Sequence, residues 1–299
     1  MTILNYTALS LSDKDLVLKL LAENGRALEY ANHDLRADKE LVLFAVQNKG
    51  RALKFASTEL RGDFACVLAA VIQNGKALEY ASDELKANLE IVLAAVKNNG
   101  SALILASDEF KLNHSAVLAA VGQNGGALKF AANDLRSNMD LVLAAVKLKG
   151  RSLEFASTEL RSNQEIVLAA VQENDWAFAY ASDELRADKA FVLQVVSCKG
   201  RALEYASAEL KADPEVVLAA AIEYEWAFDH AAIKLISDKD FILAAVQLHG
   251  LALEYASEDL RSDREIVLAA VMQNPEALVY ASSDLRADPD LIFIAKVQK

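Results

Sequence analysis

The sequence predicts an all-α fold, an α-solenoid (superhelix) of eleven 25-residue two-helix repeats plus a C-terminal half repeat, and three observations predict it. An Asp or Asn recurs every 25 residues with no insertion or deletion, twelve times from Asp13 to Asp288. A fixed period of roughly 20–50 residues marks a stacked repeat array. Each opener leads into an apolar segment of helix length, bracketed by an N-cap residue on one side and usually by glycine on the other. The composition suits packed helices: 54% hydrophobic, rich in Ala and Leu, with 11 Gly and three Pro.

Taken in chain order, the stretch from Tyr6 to Ser12 reads as a degenerate second helix, one residue short. It makes residues 1–12 an N-terminal cap, since terminal repeats need a face that tolerates water. Residues 13–287 carry the eleven repeats, whose positions we number 1 to 25 from each Asp or Asn. Position 1 is the helix N-cap, its side chain accepting from an orphan backbone N–H. Position 2 is proline at Pro214 and Pro289, where a first helical turn tolerates it. Position 3 is usually acidic, as in Asp15, Glu40 and Glu265, which suits the positive end of the helix dipole. Positions 4 to 9 are apolar, with Leu or Phe at position 6 in every copy. Position 13 is glycine in eight of eleven repeats (Gly25, Gly50, Gly75, Gly100, Gly125, Gly150, Gly200, Gly250). That glycine is expected to close helix A in the left-handed conformation, with helix A over positions 2 to 12.

Positions 15, 16, 18, 19 and 23 are apolar while 14, 17, 21 and 24 are mostly polar, the period of a helix with one buried face. Helix B is therefore expected from about position 14. Serine at position 20 leaves open whether it runs unbroken or restarts as a second short helix. Ala at positions 8 and 19 lets neighbouring backbones approach; Leu at 6, 16 and 23 and Tyr or Phe at 18 are expected to fill the layers. A strand reading fails, because alanine is a poor strand former and caps bracket a helix-length segment. The leucine-rich horseshoe phrase is absent. At about 8–10 Å per layer, eleven repeats would make a curved rod on the order of 100 Å long. Residues 288–299 form the half repeat. There Lys296, replacing the usual valine, and Lys299 read either as a solvated cap or as the mark of a longer array.

On this reading residues 1–299 are a single solenoid domain. The formal net charge of −12 works against phosphate backbones and anionic membranes, so no nucleic-acid or membrane partner is expected. Cys66 and Cys198 occupy different repeat positions and read as thiols of a reducing compartment, with cytoplasmic location expected. No apolar run approaches the ~20 residues of a membrane span. Residues 1–12 lack the basic start and apolar stretch of a signal peptide.

The phrases Asp263-Arg-Glu-Ile-Val-Leu-Ala-Ala-Val and Gly250-Leu-Ala-Leu-Glu-Tyr-Ala-Ser-Glu-Asp-Leu-Arg resemble an uncharacterised helical-repeat family, a domain of unknown function occurring as units of about two such repeats. The resemblance covers nearly the whole chain. It implies an intracellular α-helical array built for interactions, with no catalytic residues to carry over.

Positions 7, 10, 11, 14, 17 and 21 vary while the core letters stay fixed. Apolar residues replace polar ones at Phe44, Ile72, Leu148, Ile222, Leu248, Leu251 and Met272. Repeats 7 and 9 exchange the Gly-Arg turn for Asp175-Trp176 and Glu225-Trp226, with Phe178 and Phe228 in place of Leu. Two readings follow: Trp and Phe repack a turn that has lost its glycine, or they form an aromatic-rimmed site for a partner. The candidate partner-binding residues are Trp176, Tyr224, Trp226, Leu248 and Met272, and Glu223, Glu225 and Asp229 around them favour a basic, Lys- or Arg-bearing segment.

Other constellations carry less. The position-1 carboxylates and amides lie on separate layers and read as caps, not a metal ladder. Position 24 is basic and position 22 acidic, each in ten of eleven repeats, which reads as solvated inter-repeat ion pairs of small individual worth. His33, His114, His230 and His249 are scattered. A hydrolase-like site around His230 and His249 would need a convergent pocket. No phosphate-binding glycine loop, nucleophile motif or metal-ligand spacing occurs, so no cofactor, metal or enzymatic activity is expected. The function expected is a non-catalytic scaffold binding a protein or peptide, chiefly through repeats 7 to 11. Its rival is a structural spacer arm, or a fragment of a larger protein whose activity lies elsewhere.

Overall fold

The structure, a computed structural model, describes residues 11–297. The chain divides into two compact units, Met1–Ser157 and Thr158–Lys299. Each is a stack of 25-residue repeats, an all-α solenoid architecture with no strand among the described residues. The expected cap over Tyr6–Ser12 lies outside the described residues except for Leu11 and Ser12. Leu11 donates its N–H to Tyr30 and accepts at its carbonyl from Asn32. Lys299 also lies outside; Lys296 is exposed on the last helix, Pro289–Val297.

Repeat 2 shows why the sequence folds as it does. Asp38 accepts from the backbone N–H of Leu41 and starts helix A, Lys39–Asn48. Position 12, here Lys49, is extended (φ −146°, ψ 99°) and ends it. A six-residue 3₁₀ segment follows, Gly50–Phe55. Ser57 then caps Thr58–Arg61, its Oγ accepting from the Leu60 N–H. Helix B is therefore two pieces; the serine hydroxyl supports the fresh start here, but the break persists where position 20 is Ala132 or Ala232. Helix A ends one residue sooner than the spacing suggests.

Position 13 overturns the expectation about glycine. No described glycine has positive φ. The chain reverses at the extended residue of position 12, and glycine merely opens the 3₁₀ segment. Glycine is needed because the next layer comes so near: a β-carbon on Gly50, Gly75, Gly100, Gly200 or Gly250 would lie 2.5 Å or less from the position-8 alanine carbonyl of the following helix A. The helix A pairs spanning those five glycines pack more closely than the pairs spanning Asp175, Glu225 and Pro275, which hold position 13 in repeats 7, 9 and 11. Gly25 and Gly125 precede looser pairs too, so glycine permits close stacking without imposing it.

Three ladders join the repeats within each unit. The backbone N–H of position 20 donates to the carbonyl of position 24 one repeat earlier, as Ser57 to Arg36 and Ser82 to Arg61 in the first unit and Ser182 to Arg161 in the second. Asn or Gln at position 11 staples the preceding repeat: Gln73 accepts from the Gly50 N–H at 2.6 Å and donates to the Asn48 carbonyl at 3.3 Å. Asn98 bridges Gly75 and Ile72 in the same way. These amides satisfy groups that a helix end leaves orphaned. Third, Lys at position 2 reaches the N-cap Asp of the next repeat, as Lys39 to Asp63, Lys189 to Asp213 and Lys239 to Asp263. The inter-repeat ion pairs, expected between positions 22 and 24, run instead mainly from position 2, with Arg51–Glu79 and Arg201–Asp175 starting from position 14. Several position-24 cations serve their own repeat: Arg36 donates to the carbonyls of Ala31 and Glu29, and Lys86 pairs with Asp83, whereas Arg186 also donates to the Tyr205 carbonyl of the next repeat.

The core consists of positions 4, 5, 8 and 9 of helix A with 15, 16 and 19 of the 3₁₀ layer, as in Leu41, Val42, Ala45, Val46, Ala52, Leu53 and Ala56, joined as expected by position 23 in most repeats, as in Leu60 and Leu85. Positions 6 and 18, expected to fill the layers, are at best half-buried. They edge the outer and the 3₁₀ faces respectively.

Candidate functional site

In the second unit, the repeats that lose glycine are rebuilt in a coordinated way. Phe178 and Phe228 at position 16 are buried and meet a second phenylalanine at position 4 of the next repeat, Phe191 and Phe241, at 6.3 Å between ring centroids in both cases. Position 4 is phenylalanine in those two repeats alone. In these two repeats the paired rings fill the space between successive layers. The phenylalanines thus do the repacking.

The indoles do not. Trp176 and Trp226, at position 14 on the first turn of their 3₁₀ segments, are 45% and 52% exposed. Tyr224 is the extended position-12 residue between helix A and the 3₁₀ segment, half-buried, at φ −148°. Leu248 ends its helix A half-buried, its carbonyl accepting from Gln273. Met272 is exposed on the outer face of helix A. Of the five residues singled out by sequence, Trp226 alone lines a cavity with other candidate groups; Tyr224, Leu248 and Met272 do not line it.

That cavity, about 80 Å³, lies on the 3₁₀ layer of repeats 9 to 11 and is bounded by Glu225, Trp226, Phe228, His249, Leu251, Glu254, Tyr255 and Tyr280. Phe228 forms its wall, with Tyr255 at 5.8 Å and His249 edge-on at 6.4 Å. The His249 Nε2–H donates to the Ala221 carbonyl at 2.7 Å, so this ring takes the stapling role of the position-11 amides. Burial, then a hydrogen bond from its hydroxyl to Asp229, pushes the Tyr255 phenol well above its ordinary value. The phenol stays neutral, and Glu225 and Glu254 line the same hollow: an acidic mouth with aromatic walls. His230 lies outside this set.

Trp176 and Trp226 differ in what covers the ring. Arg201, position 14 of the next repeat, lies over the Trp176 ring at 5.2 Å from its centroid. The equivalent neighbour of Trp226 is Leu251, and among the described residues no cation covers that indole.

Seven stretches match the family described as a domain of unknown function, DUF4116: residues 13–61, 63–111, 113–161, 138–186, 163–207, 188–236 and 238–286. The chain belongs to the DUF4116 family. Every DUF4116 match begins on a position-1 Asp or Asn, and most span nearly two repeats, so the family unit starts where helix A is capped. No curated protein and no solved structure matches the chain. No helix among the described residues is long and apolar enough to cross a membrane.

Sequence reasoning missed Glu254, Tyr255 and Tyr280. Position 18 is aromatic in most repeats and position 17 commonly acidic, so nothing in the letters separates these copies from the rest. The available signal was the loss of the position-14 cation in repeats 9, 10 and 11 together.

Proposed function

We propose that this DUF4116 chain is a non-catalytic interaction scaffold whose second unit takes a Lys- or Arg-bearing segment of a protein partner on the 3₁₀ layer of repeats 9 to 11. The observation that carries this reading is the uncovered Trp226 ring beside Glu225 and Glu254. Trp176 already holds a guanidinium from its own chain, and Trp226 has the same indole in the same register with leucine where that arginine would stand. A cation over an indole face contributes ~0.5–1 kcal/mol when exposed and about 2 kcal/mol when desolvated; the flanking carboxylates add attraction and orientation. A cavity of about 80 Å³ suits one side-chain head group, with the rest of the segment lying across neighbouring 3₁₀ turns. Trp176, on the same 3₁₀ layer, belongs to a wider surface that a longer partner would cover, whereas Met272, on the outer face of helix A, lies outside it. The scaffold reading places the protein in the cytoplasm, where the free thiols of Cys66 and Cys198 would remain reduced.

Fluorescence anisotropy of a labelled Arg-rich peptide tests it. The intact chain should bind an Arg-rich peptide and not a Glu-rich peptide of equal length. Trp226→Ala should weaken binding about tenfold or more, the equivalent of ~1.4 kcal/mol, and Glu254→Gln should weaken it less. Equal binding of both peptides, or no effect of Trp226→Ala, would favour a spacer arm instead.

A further inference from the structure

The hollow at Trp226 has a counterpart in the first unit. A cavity of about 340 Å³ is lined by Arg26, Lys49, Arg51, Ala52, Lys54, Phe55 and Tyr80. Adding 200 to their numbers, eight repeats, gives Trp226, His249, Leu251, Ala252, Glu254, Tyr255 and Tyr280, all of which line the second-unit cavity. The repeat therefore places a hollow at the same positions in both units, with a buried alanine floor and two position-18 aromatic walls, and varies its size and what lines it. In the first unit the lining carries four cations and no carboxylate. In a chain of net charge −12 that concentration is unusual.

The four cations are not equally engaged. Arg26 pairs with Glu29 at 3.0 Å, and Arg51 reaches the Tyr80 hydroxyl at 2.6 Å and Glu79 at 3.3 Å. Lys49 and Lys54 have no carboxylate within ion-pair distance among the described residues, although the position-2 lysines Lys14, Lys39, Lys189 and Lys239 all do. Lys54 stands over the Phe55 ring at 5.8 Å and Arg51 over the Tyr80 ring at 5.6 Å. Two half-paired guanidiniums and two unpaired ammoniums around one cavity offer more positive charge than a single carboxylate would need. Guanidinium forks and lysine point charges are the usual partners of phosphate oxygens. The volume falls in the range of small-ligand pockets, roughly 300–1,000 Å³, and the two rings give a flat group something to lie against.

We propose that this first-unit hollow binds a phosphate monoester carried on an aromatic ring, the chemistry of a phosphorylated tyrosine side chain in a protein partner. Lys49 and Lys54 hold the dianion, Arg26 and Arg51 complete the charge, and Phe55 and Tyr80 flank the ring. This site does not depend on the basic-segment reading of the second unit.

Isothermal titration of the full-length protein at low ionic strength tests it, with phenyl phosphate as probe and inorganic phosphate and AMP as comparison arms. Saturable binding of phenyl phosphate is expected, with inorganic phosphate at least fivefold weaker. Lys49→Ala/Lys54→Ala should weaken phenyl phosphate at least tenfold. Both lysines are exposed, so helical circular dichroism should be unchanged in the double variant, and Trp226→Ala should leave this binding intact. Absence of saturable binding, or equal binding by the double variant, overturns the site. Inorganic phosphate binding as tightly as phenyl phosphate overturns the role of the rings. AMP binding more tightly than phenyl phosphate overturns the assignment to a protein side chain.

Discussion

Gly100→Ala tests the layer-stacking explanation of the conserved-looking turn. Gly100 opens its 3₁₀ segment with ordinary backbone angles, so alanine brings no left-handed strain. Its β-carbon, however, would come within about 2.3 Å of the Ala120 carbonyl oxygen and 3.0 Å of Gln123 Oε1. The first of these is backbone in the middle of a packed helix and cannot swing aside. Opening that layer is an overpacking cost of roughly 1–3 kcal/mol. If the shift also breaks the 2.6 Å bond from the Gly100 N–H to Gln123, about 0.5–1.5 kcal/mol is added. The expected total is about 1.5–4.5 kcal/mol. Urea unfolding followed by circular dichroism should show the transition moving to lower denaturant. Gly122→Ala is the control: that glycine lies inside helix A, and its β-carbon would meet nothing within 4 Å. It should stabilise by roughly 0.5–1 kcal/mol. Asparagine separates the two explanations of Gly100, because it tolerates the left-handed region better than alanine but is larger. Gly100→Asn should be at least as damaging as Gly100→Ala; an asparagine variant near wild-type stability would refute the stacking argument.

Ser152 replaces the usual alanine at position 15, is fully buried, and its hydroxyl has no hydrogen-bond partner; Ser152→Ala should raise the unfolding midpoint by the equivalent of about 1 kcal/mol. The carboxyls of Asp38, Asp63, Asp213 and Asp263 are held below the usual aspartate range, first by the lysine of the preceding repeat and, against the opposing effect of burial, by N–H groups at their own helix start. Because the folded values are the lower ones, the stability they contribute is complete above the unfolded value near 3.9 and is lost as pH falls through the folded values; an acid titration by circular dichroism should therefore be flat from about pH 7 to 5 and fall below about pH 4, and Lys39→Met should shift that fall towards higher pH. Burial, then the Asp63 charge, pushes the Cys66 thiol up to about 12, whereas Cys198 is exposed; maleimide at neutral pH should label one thiol rapidly, and Cys198→Ser should abolish that labelling while Cys66→Ser leaves it.

Much of the fold is legible in the letters, because a 25-residue period, an N-cap at position 1 and apolar positions 4 to 9 each report a local requirement. Position 13 shows the limit. A glycine after a helix can mean a left-handed turn or a close neighbour, and only the next repeat's Ala120 carbonyl distinguishes them at Gly100. The break at position 20 was readable as a possibility because serine caps locally, whereas the extended residue at position 12 has no fixed letter: Asn24, Lys49, Tyr224 and His249 all adopt it. The candidate site was half legible. Trp226 stood out as a departure from arginine, but Tyr255 and Glu254 match their counterparts elsewhere and acquire meaning only through what faces them. Met272 stood out equally and lies on another face, since position 10 and position 14 differ in exposure direction, not in alphabet. The Phe178–Phe191 and Phe228–Phe241 pairs were visible as letters, yet their coupling across 13 residues becomes an argument only once position 16 is seen to meet position 4 of the next repeat.

Recognition of a partner's cation by the exposed Trp226 ring in its acidic mouth, as proposed, is directly measurable by NMR. The chain has only two tryptophans, so a ¹H–¹⁵N spectrum contains two indole N–H signals, assigned by Trp176→Phe. Titration with a short Arg-containing peptide should move the Trp226 signal progressively to saturation and the Trp176 signal, already covered by Arg201, far less. A Glu-containing peptide should move neither. Saturation with the Trp226 signal unmoved, or equal movement of both indoles by peptides of either charge, would contradict the account.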